Sequence, residues 1–388
     1  MAHADQVIAA LNAGKDVLCE KPLAIGGARA RQMIEAAARN NRLLFAGHVR
    51  RQFPATNAIR DIVRSGLLGP ISAVTCFEGG PFSRPVSGPG YFSRSSSGGG
   101  VLQDIGSHCT DLLTRWLGKP DHVAHEDDAF GGVEANCLVT LDYHGFRAKI
   151  RLSRDWAQPN IYRIVGAGGW LEWPVNNPRN FRFALSGGDT ADTQMRAPQG
   201  DDFHRAFARQ IEAALDNDKN VVSAADILPT IAMIETCYAN RAAMALPWLA
   251  PDELARAHAF EAIMTERIAI LGAGGFIGNR AVEMLTLGGH YEVRPVVRAA
   301  QSLALASRFV LDGRIADGRD EAALRAAFSG CDAIIHAMAG DPQTIVAAIE
   351  AGLSGRCGRR REAADLPQFR VRPWAIAGPG YDGAKPAL

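Results

Sequence analysis

Neither sign of charge is in excess in this 388-residue chain: 42 lysines and arginines face 41 aspartates and glutamates, a formal balance of +1. That balance lacks the basic footprint of a nucleic-acid binder and the cationic stripe that meets an anionic membrane surface. No run approaches the ~20 apolar residues that cross a bilayer. The opening Met1-Ala2-His3-Ala4-Asp5 has no basic region ahead of an apolar core, so no signal peptide is expected. The seven cysteines (19, 76, 109, 137, 237, 331 and 357) are scattered without a C-x-x-C. A disulfide framework or zinc knuckle is therefore not expected, no metal site is called, and a reducing cytoplasm is the default compartment. No internal repeat of solenoid length is present.

Glycine, in contrast, is abundant at 40 residues, which directs attention to tight turns and phosphate-cradling loops. At roughly 100–200 residues per domain the length suggests two or three domains. The first segment alternates helix and strand: a helix over 5–12, a buried strand over 16–19, an Ala-rich helix over 28–40 and a second buried strand over 43–46. That order implies a parallel sheet with crossover helices. From about residue 48 the pattern changes to a helix at 55–65, a strand at 71–78, a Gly/Ser/Pro loop at 81–100 and a helix at 101–117. Strands follow at 133–144, 146–153, 161–165, 169–174 and 181–185, then helices at 201–215 and 227–245. Consecutive strands with short turns predict an antiparallel sheet. After a charged helical connector at 250–265, a strand at 268–271 opens a second parallel pattern, with strands at 292–297 and 333–338 and helices to 287, at 322–328 and at 342–351. One more strand is expected at 369–376, and 378–388 reads as a tail.

Gly272-Ala273-Gly274-Gly275-Phe276-Ile277-Gly278 lies between a predicted strand and a predicted helix, the context a dinucleotide loop requires. Glycines admit the pyrophosphate to the backbone, and the helix N-terminus offers oriented N–H groups. The strict G-x-G-x-x-G fails at Ile277; Gly272, Gly275 and Gly278 fit G-x-x-G-x-x-G, with a purely structural turn as the alternative. The similar Gly166-Ala167-Gly168-Gly169 precedes a strand and reads as a hairpin turn. After the second strand of this part no acidic residue awaits a ribose hydroxyl; Arg294 and Arg298 stand there, suited to a 2′-phosphate and hence to NADP over NAD, or else solvated.

Lys21 ends a buried parallel strand, where α/β sheets build their sites, and is either a functional ammonium or a strand-end surface charge. Asp104, His108 and Asp111 fall at i, i+4 and i+7, on one helix face. A carboxylate one turn from an imidazole can orient it for proton transfer, although a solvated face would read the same way.

These residues carry a resemblance. Ala13-Gly14-Lys15-Asp16-Val17-Leu18-Cys19-Glu20-Lys21-Pro22 resembles the A-G-K-x-V-x-x-E-K-P signature of the glucose–fructose oxidoreductase/inositol dehydrogenase/MocA family. Gly98 to Asp111 is similar to its G-G-x-x-x-D-x-G-x-H-x-x-D motif, and the resemblance extends from about residue 3 to 249. It implies Lys21 and His108 as proton-transfer residues at a substrate hydroxyl, Asp104 orienting substrate or histidine, and Glu20 and Pro22 beside a nicotinamide. Arg51, Tyr91 and Asp111 are the candidate substrate contacts. The family's amino-terminal phosphate loop and ribose-binding residue have no counterpart ahead of His3.

From about 266 the chain resembles an extended short-chain dehydrogenase/reductase of the sugar-nucleotide epimerase type. The resemblance rests on the Gly272–Gly278 loop, Cys331–Gly340 and the R-P-x-x-x-x-G-P-G of Arg372–Gly380. Gly272, Gly275, Phe276, Ile277, Gly278 and Arg298 are then the cofactor contacts. Tyr381 and Lys385 have Y-x-x-x-K spacing but follow that last segment, so they are not taken as catalytic, and 340–366 is too short for the expected active-site helix.

The expected fold is α/β plus α+β: residues 1–47 as the end of a Rossmann-type cofactor domain, 48–249 as an α+β substrate and oligomerisation domain with an open, mostly antiparallel sheet, 250–265 as connector, 266–355 as a partial Rossmann-type unit and 356–388 as tail. The expected function is an NAD(P)-dependent oxidoreductase acting on a sugar or polyol. The alternatives are an epimerase-like protein without Y-x-x-x-K, and a non-catalytic fusion remnant serving as a nucleotide-binding or oligomerisation module. A small-molecule partner and a homo-oligomer through the open sheet are expected, with no nucleic-acid or membrane partner. One further expectation joins the two parts: strand 334–338 pairs with the open edge of 17–19, bringing Gly272–Gly278 near Lys21.

Overall fold

Short apolar runs between amphipathic stretches form the first layer of the computed structural model, which describes residues 3–86, 88–188, 191–194, 203–218, 221–246, 255 and 266–338. Helix α1 (His3–Asn12) buries Ala4, Val7 and Leu11 against α2 (Gly27–Arg39), which contributes Ala30, Met33 and Ala36. Between them β1 (Val17–Glu20) pairs in parallel with β2 (Leu44–Gly47), Val17 opposite Leu44. Among the described residues β2 is the one strand partner of β1.

The next part is built on nine strands. Helix α3 (Pro54–Ser65) starts with proline in its first turn and stops at Gly66, whose φ of 74° suits a residue without Cβ. The strands are β3 (Ile71–Gly79), β4 (His122–Asp127), β5 (Asn136–Tyr143), β6 (Phe146–Ser153), β7 (Ile161–Gly166), β8 (Gly169–Pro174), β9 (Asn180–Leu185), β10 (Ala191–Gln194) and β11 (Arg241–Ala243). Their order across the sheet is β10-β9-β8-β7-β3-β6-β5-β4-β11. The sheet is mixed rather than wholly antiparallel, because β3 runs parallel to β6 and β11 parallel to β4. Val139, Leu141, Ile150, Leu152, Tyr162 and Trp173 point to one face and are buried there. That face is covered by α3, α5 (Ser107–Leu117) and α7 (Leu228–Ala239), with α6 (Phe203–Leu215) at its edge and the single-turn α4 (Arg94–Ser97) in the long loop. The Gly166–Gly169 string is the turn between β7 and β8, as its context implied.

Strand β4 escapes a hydrophobicity reading because its inward positions are Val123, His125 and Asp127, two of the three polar. The expected strand from 133 begins only at Asn136, since Val133 instead donates its N–H to the carbonyl of Ser307.

The last part is a four-stranded parallel sheet, order β14-β13-β12-β15, from β12 (Glu266–Leu271), β13 (Tyr291–Val297), β14 (Arg314–Ile315) and β15 (Ala333–His336). Helix α8 (Phe276–Gly288) follows β12, and α9 (Glu321–Phe328) precedes β15, capped by Asp320, which accepts the Ala323 N–H at 3.0 Å. This sheet overturns the expected junction with residues 17–19. Strand β15 lies beside β12, Ala333 opposite Ile268, and not beside β1. The reason is local: Ala269, Leu271 and Ile334 share one face with Leu324, Ala327 and Phe328 of α9, so that strand's apolar side is used within its own unit. The connector apart from residue 255, the 342–351 helix, the 369–376 strand and the tail lie outside the described residues.

The last part is seated on the nine-stranded part through main chain. Val133 N–H donates to Ser307 O at 2.8 Å, and Phe130 N–H to Arg308 O at 2.7 Å. A Cβ on Gly132 would lie 2.2 Å from the Ser307 carbonyl, so only glycine permits this approach. Arg308, one-tenth exposed, meets Asp155 at 2.6 Å and Asp128 at 3.5 Å, and Phe130 stacks on Phe309 with centroids 5.3 Å apart.

Candidate active site

Strand β1 delivers Glu20, Lys21 and Pro22 at its carboxyl end, where the Lys21–Pro22 peptide is cis. Lys21 Nζ donates to Asp104 Oδ1 at 2.9 Å and to the Asp104 carbonyl at 3.1 Å, closing a contact between residues 83 apart in sequence. The helix carrying Asp104 is not uniform. Leu102–Gly106 is a π-helical turn and the regular helix α5 starts at Ser107. Such turns frequently occur at functional sites, since they redirect the side chains they carry.

The second carboxylate oxygen of Asp104 accepts from Tyr91 Oη at 2.6 Å and from Arg84, whose guanidinium also donates to Tyr91 Oη at 3.0 Å. Burial alone would raise the Asp104 carboxyl, but Lys21, Arg84 and the Tyr91 hydrogen bond outweigh it and hold the group at about 2. Burial and the neighbouring carboxylate push the Tyr91 phenol well above its ordinary range. A small opening of about 90 Å³, lined by Phe82, Arg84, Asp104, Ile105 and Arg154, leads to this carboxylate from the loop side.

His108 lies four residues on, yet Asp104 does not orient it, because the carboxylate is turned to Lys21, Arg84 and Tyr91. Its Nδ1 is buried without a partner, and burial together with Arg50 and Lys21 pushes the imidazole well below its usual pKa. The ring is therefore neutral at neutral pH. The nearest ring is that of His48, edge-on at 6.1 Å.

Asp111 and Arg51 meet each other. Arg51 clasps both carboxylate oxygens at 2.9 and 2.6 Å, Thr230 donates at 3.1 Å, and His48 Nδ1 stands 3.4 Å away. Burial would raise Asp111, but His48 and Arg51 hold it far below the usual range. At 1% exposure with both oxygens engaged, Asp111 belongs to the wall of the site and not to its open face, contrary to the expected substrate contact. Tyr91 remains beside Asp104.

A group missed in the sequence lies behind His108. Arg50, 4% exposed, bonds both oxygens of Glu78, Tyr162 Oη at 3.2 Å and Asn176 Oδ1 at 3.0 Å. Its one sequence signal was Glu78 at an inward position in line with Val74 and Cys76, which demands a buried cation.

In the last part the glycine loop follows β12 and opens α8. A Cβ on Gly278 would fall 2.2 Å from the Gly272 carbonyl, and one on Gly272 would fall 2.9 Å from the Ala337 backbone. Gly275 caps the helix without a side-chain bond, while Phe276 and Ile277 stand 95% and 60% exposed. The first-turn N–H groups thus face an open cradle, which fits a pyrophosphate. Arg298 follows β13 and is exposed, whereas Arg294 is buried and spent on the carbonyls of Ala327 and Ser329 and on Asp312 at 2.8 Å. Arg294 is therefore withdrawn as a 2′-phosphate ligand. Among the described residues no three His, Cys, Asp or Glu side chains form a metal-binding group, and no helix is long and apolar enough to cross a membrane.

Comparison with known proteins meets this geometry. Residues 1–48 match the family described as oxidoreductase family, NAD-binding Rossmann fold, and residues 56–172 match the GFO/IDH/MocA C-terminal domain. Residues 272–356 match a family described as NAD(P)H-binding. A trans-1,2-dihydrobenzene-1,2-diol dehydrogenase of Xenopus laevis is 33% identical over 180 residues, 44% of this chain and 52% of that protein. A 1,5-anhydro-D-fructose reductase of Ensifer adhaerens is 33% identical over 156 residues, 37% of this chain and 46% of that protein. The chain thus spans about half the length of the curated relatives it matches. Among solved structures, an aldose-aldose oxidoreductase of Caulobacter crescentus complexed with glycerol is 28% identical, with a TM-score of 0.53 over 62% of this chain and 73% of that one.

Proposed function

We propose that the chain is an NAD(P)-dependent oxidoreductase that interconverts a hydroxyl and a carbonyl on a small sugar or polyol. The observation that carries this reading is Lys21 Nζ held 2.9 Å from Asp104 beside a neutral, unpartnered His108. In the oxidation direction His108 takes the hydroxyl proton and Lys21 stabilises the developing negative charge on oxygen. Asp104 fixes Lys21 in place, and the Arg51–Asp111 pair stiffens the wall behind the imidazole. A bound nicotinamide would supply hydride chemistry at the carbon that bears this hydroxyl. Within the separate sheet of the last part, Gly272, Gly275, Gly278 and the first-turn N–H groups of Phe276 and Ile277 would suit a dinucleotide pyrophosphate, and Arg298 would favour NADP by meeting a 2′-phosphate. By resemblance Glu20 and Pro22 flank the nicotinamide. The named activities of the Xenopus and Ensifer relatives support a cyclic diol or sugar as substrate class. The face of the nine-stranded sheet opposite the helices, with Arg163 paired to Glu172 across β7 and β8, suits a second copy of this chain.

The test is formation of reduced nicotinamide from a panel of polyols and cyclic diols by the full chain and by Lys21→Ala. Turnover abolished by Lys21→Ala is expected; equal turnover in both would remove Lys21 from the chemistry. One second reading has its own support. The glycine loop belongs to a different sheet from β1, as expected of a nucleotide-binding module without turnover. Calorimetric NADP binding without oxidation of any substrate would select it.

A further inference from the structure

The two parts of the chain share side chains where the site is shaped. Phe92, 7% exposed, is buried among Ile268, Ile270, Val293 and Val297, which are sheet residues of the last part. Phe82 and Tyr91 pack against the same cluster, Phe82 at 5.5 Å from Tyr91 and Tyr91 at 5.0 Å from Phe92. Residues from the 81–92 loop thus complete the covering of one face of a parallel sheet, whose two faces both require cover. The same loop sends Arg84 and Tyr91 to Asp104, whose other oxygen holds Lys21. Arg154 links the two regions again, over the Phe92 ring at 5.3 Å and bonded to Ser307 at 3.0 Å.

We propose that docking of the 266–338 unit sets the Lys21–Asp104 pair, with Arg84 and Tyr91 as positioning residues that act through Asp104. The unit resembling a second dehydrogenase is then a structural part of the first one's site. This rests on the reading of Lys21 and Asp104 as reactive residues only for its catalytic consequence. The docking itself is tested without turnover.

Arg308→Gln removes the buried cation from Asp128 and Asp155 while leaving every site residue in place; Phe309→Ala is the second variant, should the first fail to fold. Two measurements are made on the full chain. Hydrogen exchange over residues 88–97 is expected to rise on the order of tenfold in the variant, while β6 keeps its protection. Labelling of Lys21 by an amine-reactive reagent, referenced to exposed Lys119, is expected to rise several-fold at the same time. Unchanged exchange over 88–97 overturns the claim that docking orders the loop. Raised exchange with unchanged Lys21 labelling overturns the claim that the loop holds Asp104. Turnover by the wild-type chain is scored separately: its absence counts against the oxidoreductase reading and leaves both labelling outcomes decisive for the docking.

Discussion

Replacing Asp104 with asparagine keeps the shape of the site and removes the charge on which Lys21 and Arg84 converge. The carboxyl lies at about 2 against an ordinary 3.8, and its side chain is only 19% exposed, so solvent screens the pairing little. That depression is worth roughly 2 kcal/mol of folding free energy, carried by the ionised form. The sign follows from the direction. A depressed carboxyl contributes its full stability above the unfolded-state value of 3.8 and loses it as pH falls through 2. Urea unfolding of wild type and Asp104→Asn, followed by tryptophan fluorescence, should therefore show the variant less stable by about 2 kcal/mol at pH 7. The gap should shrink to about half by pH 3. A gap that is the same at both pH values would refute the electrostatic account, since a purely steric or hydrogen-bonding loss does not follow the carboxyl's titration. The absence of any gap at pH 7 would refute the pairing itself.

Arg50→Met should cost about 3–5 kcal/mol in the same assay, because Glu78 is left buried without its cation, and the double variant Arg50→Met/Glu78→Leu should recover most of the loss. His108→Asn should lower turnover by about 10²–10⁴-fold. With the imidazole held well below its ordinary 6.5 by burial, the oxidation rate should show no inflection between pH 8 and 6.5. Gly278→Ala, which sets a methyl against the Gly272 carbonyl, should abolish dinucleotide binding measured by calorimetry. Arg298→Ala should weaken NADP binding and leave NAD binding unchanged.

Most elements were legible because their periodicity is plain. Ala4, Val7 and Leu11 mark a helix face, and Cys137, Val139 and Leu141 a strand face. The reading failed where polar residues occupy inward positions. His125 and Asp127 hid β4, and Arg50 was missed although Glu78, at an inward strand position, signalled a buried cation. The two motifs put Lys21, Asp104 and His108 forward as site residues, but that Asp104 turns to Lys21 and not to His108 was not readable. It depends on a π-turn that local sequence does not announce and on Arg84 and Tyr91 from a loop without periodicity. The mistaken pairing of 334–338 with β1 came from counting open edges. The better guide was the apolar face shared with α9, which binds β15 to its own helix before any distant edge is available.

The burial of Phe92 between strands β12 and β13 also has a consequence in time. Phe92 leaves the ribosome about 200 residues before Val297, the last of the four strand residues it is buried among. At about 5–20 residues per second of synthesis, that delay is on the order of 10–40 s. During that interval the nine-stranded part can assemble its own core while three neighbouring aromatic rings, Phe82, Tyr91 and Phe92, wait in water for their cover. The nascent chain carries a sticky loop at the mouth of its site until its last sheet arrives, and chaperone dependence should concentrate there.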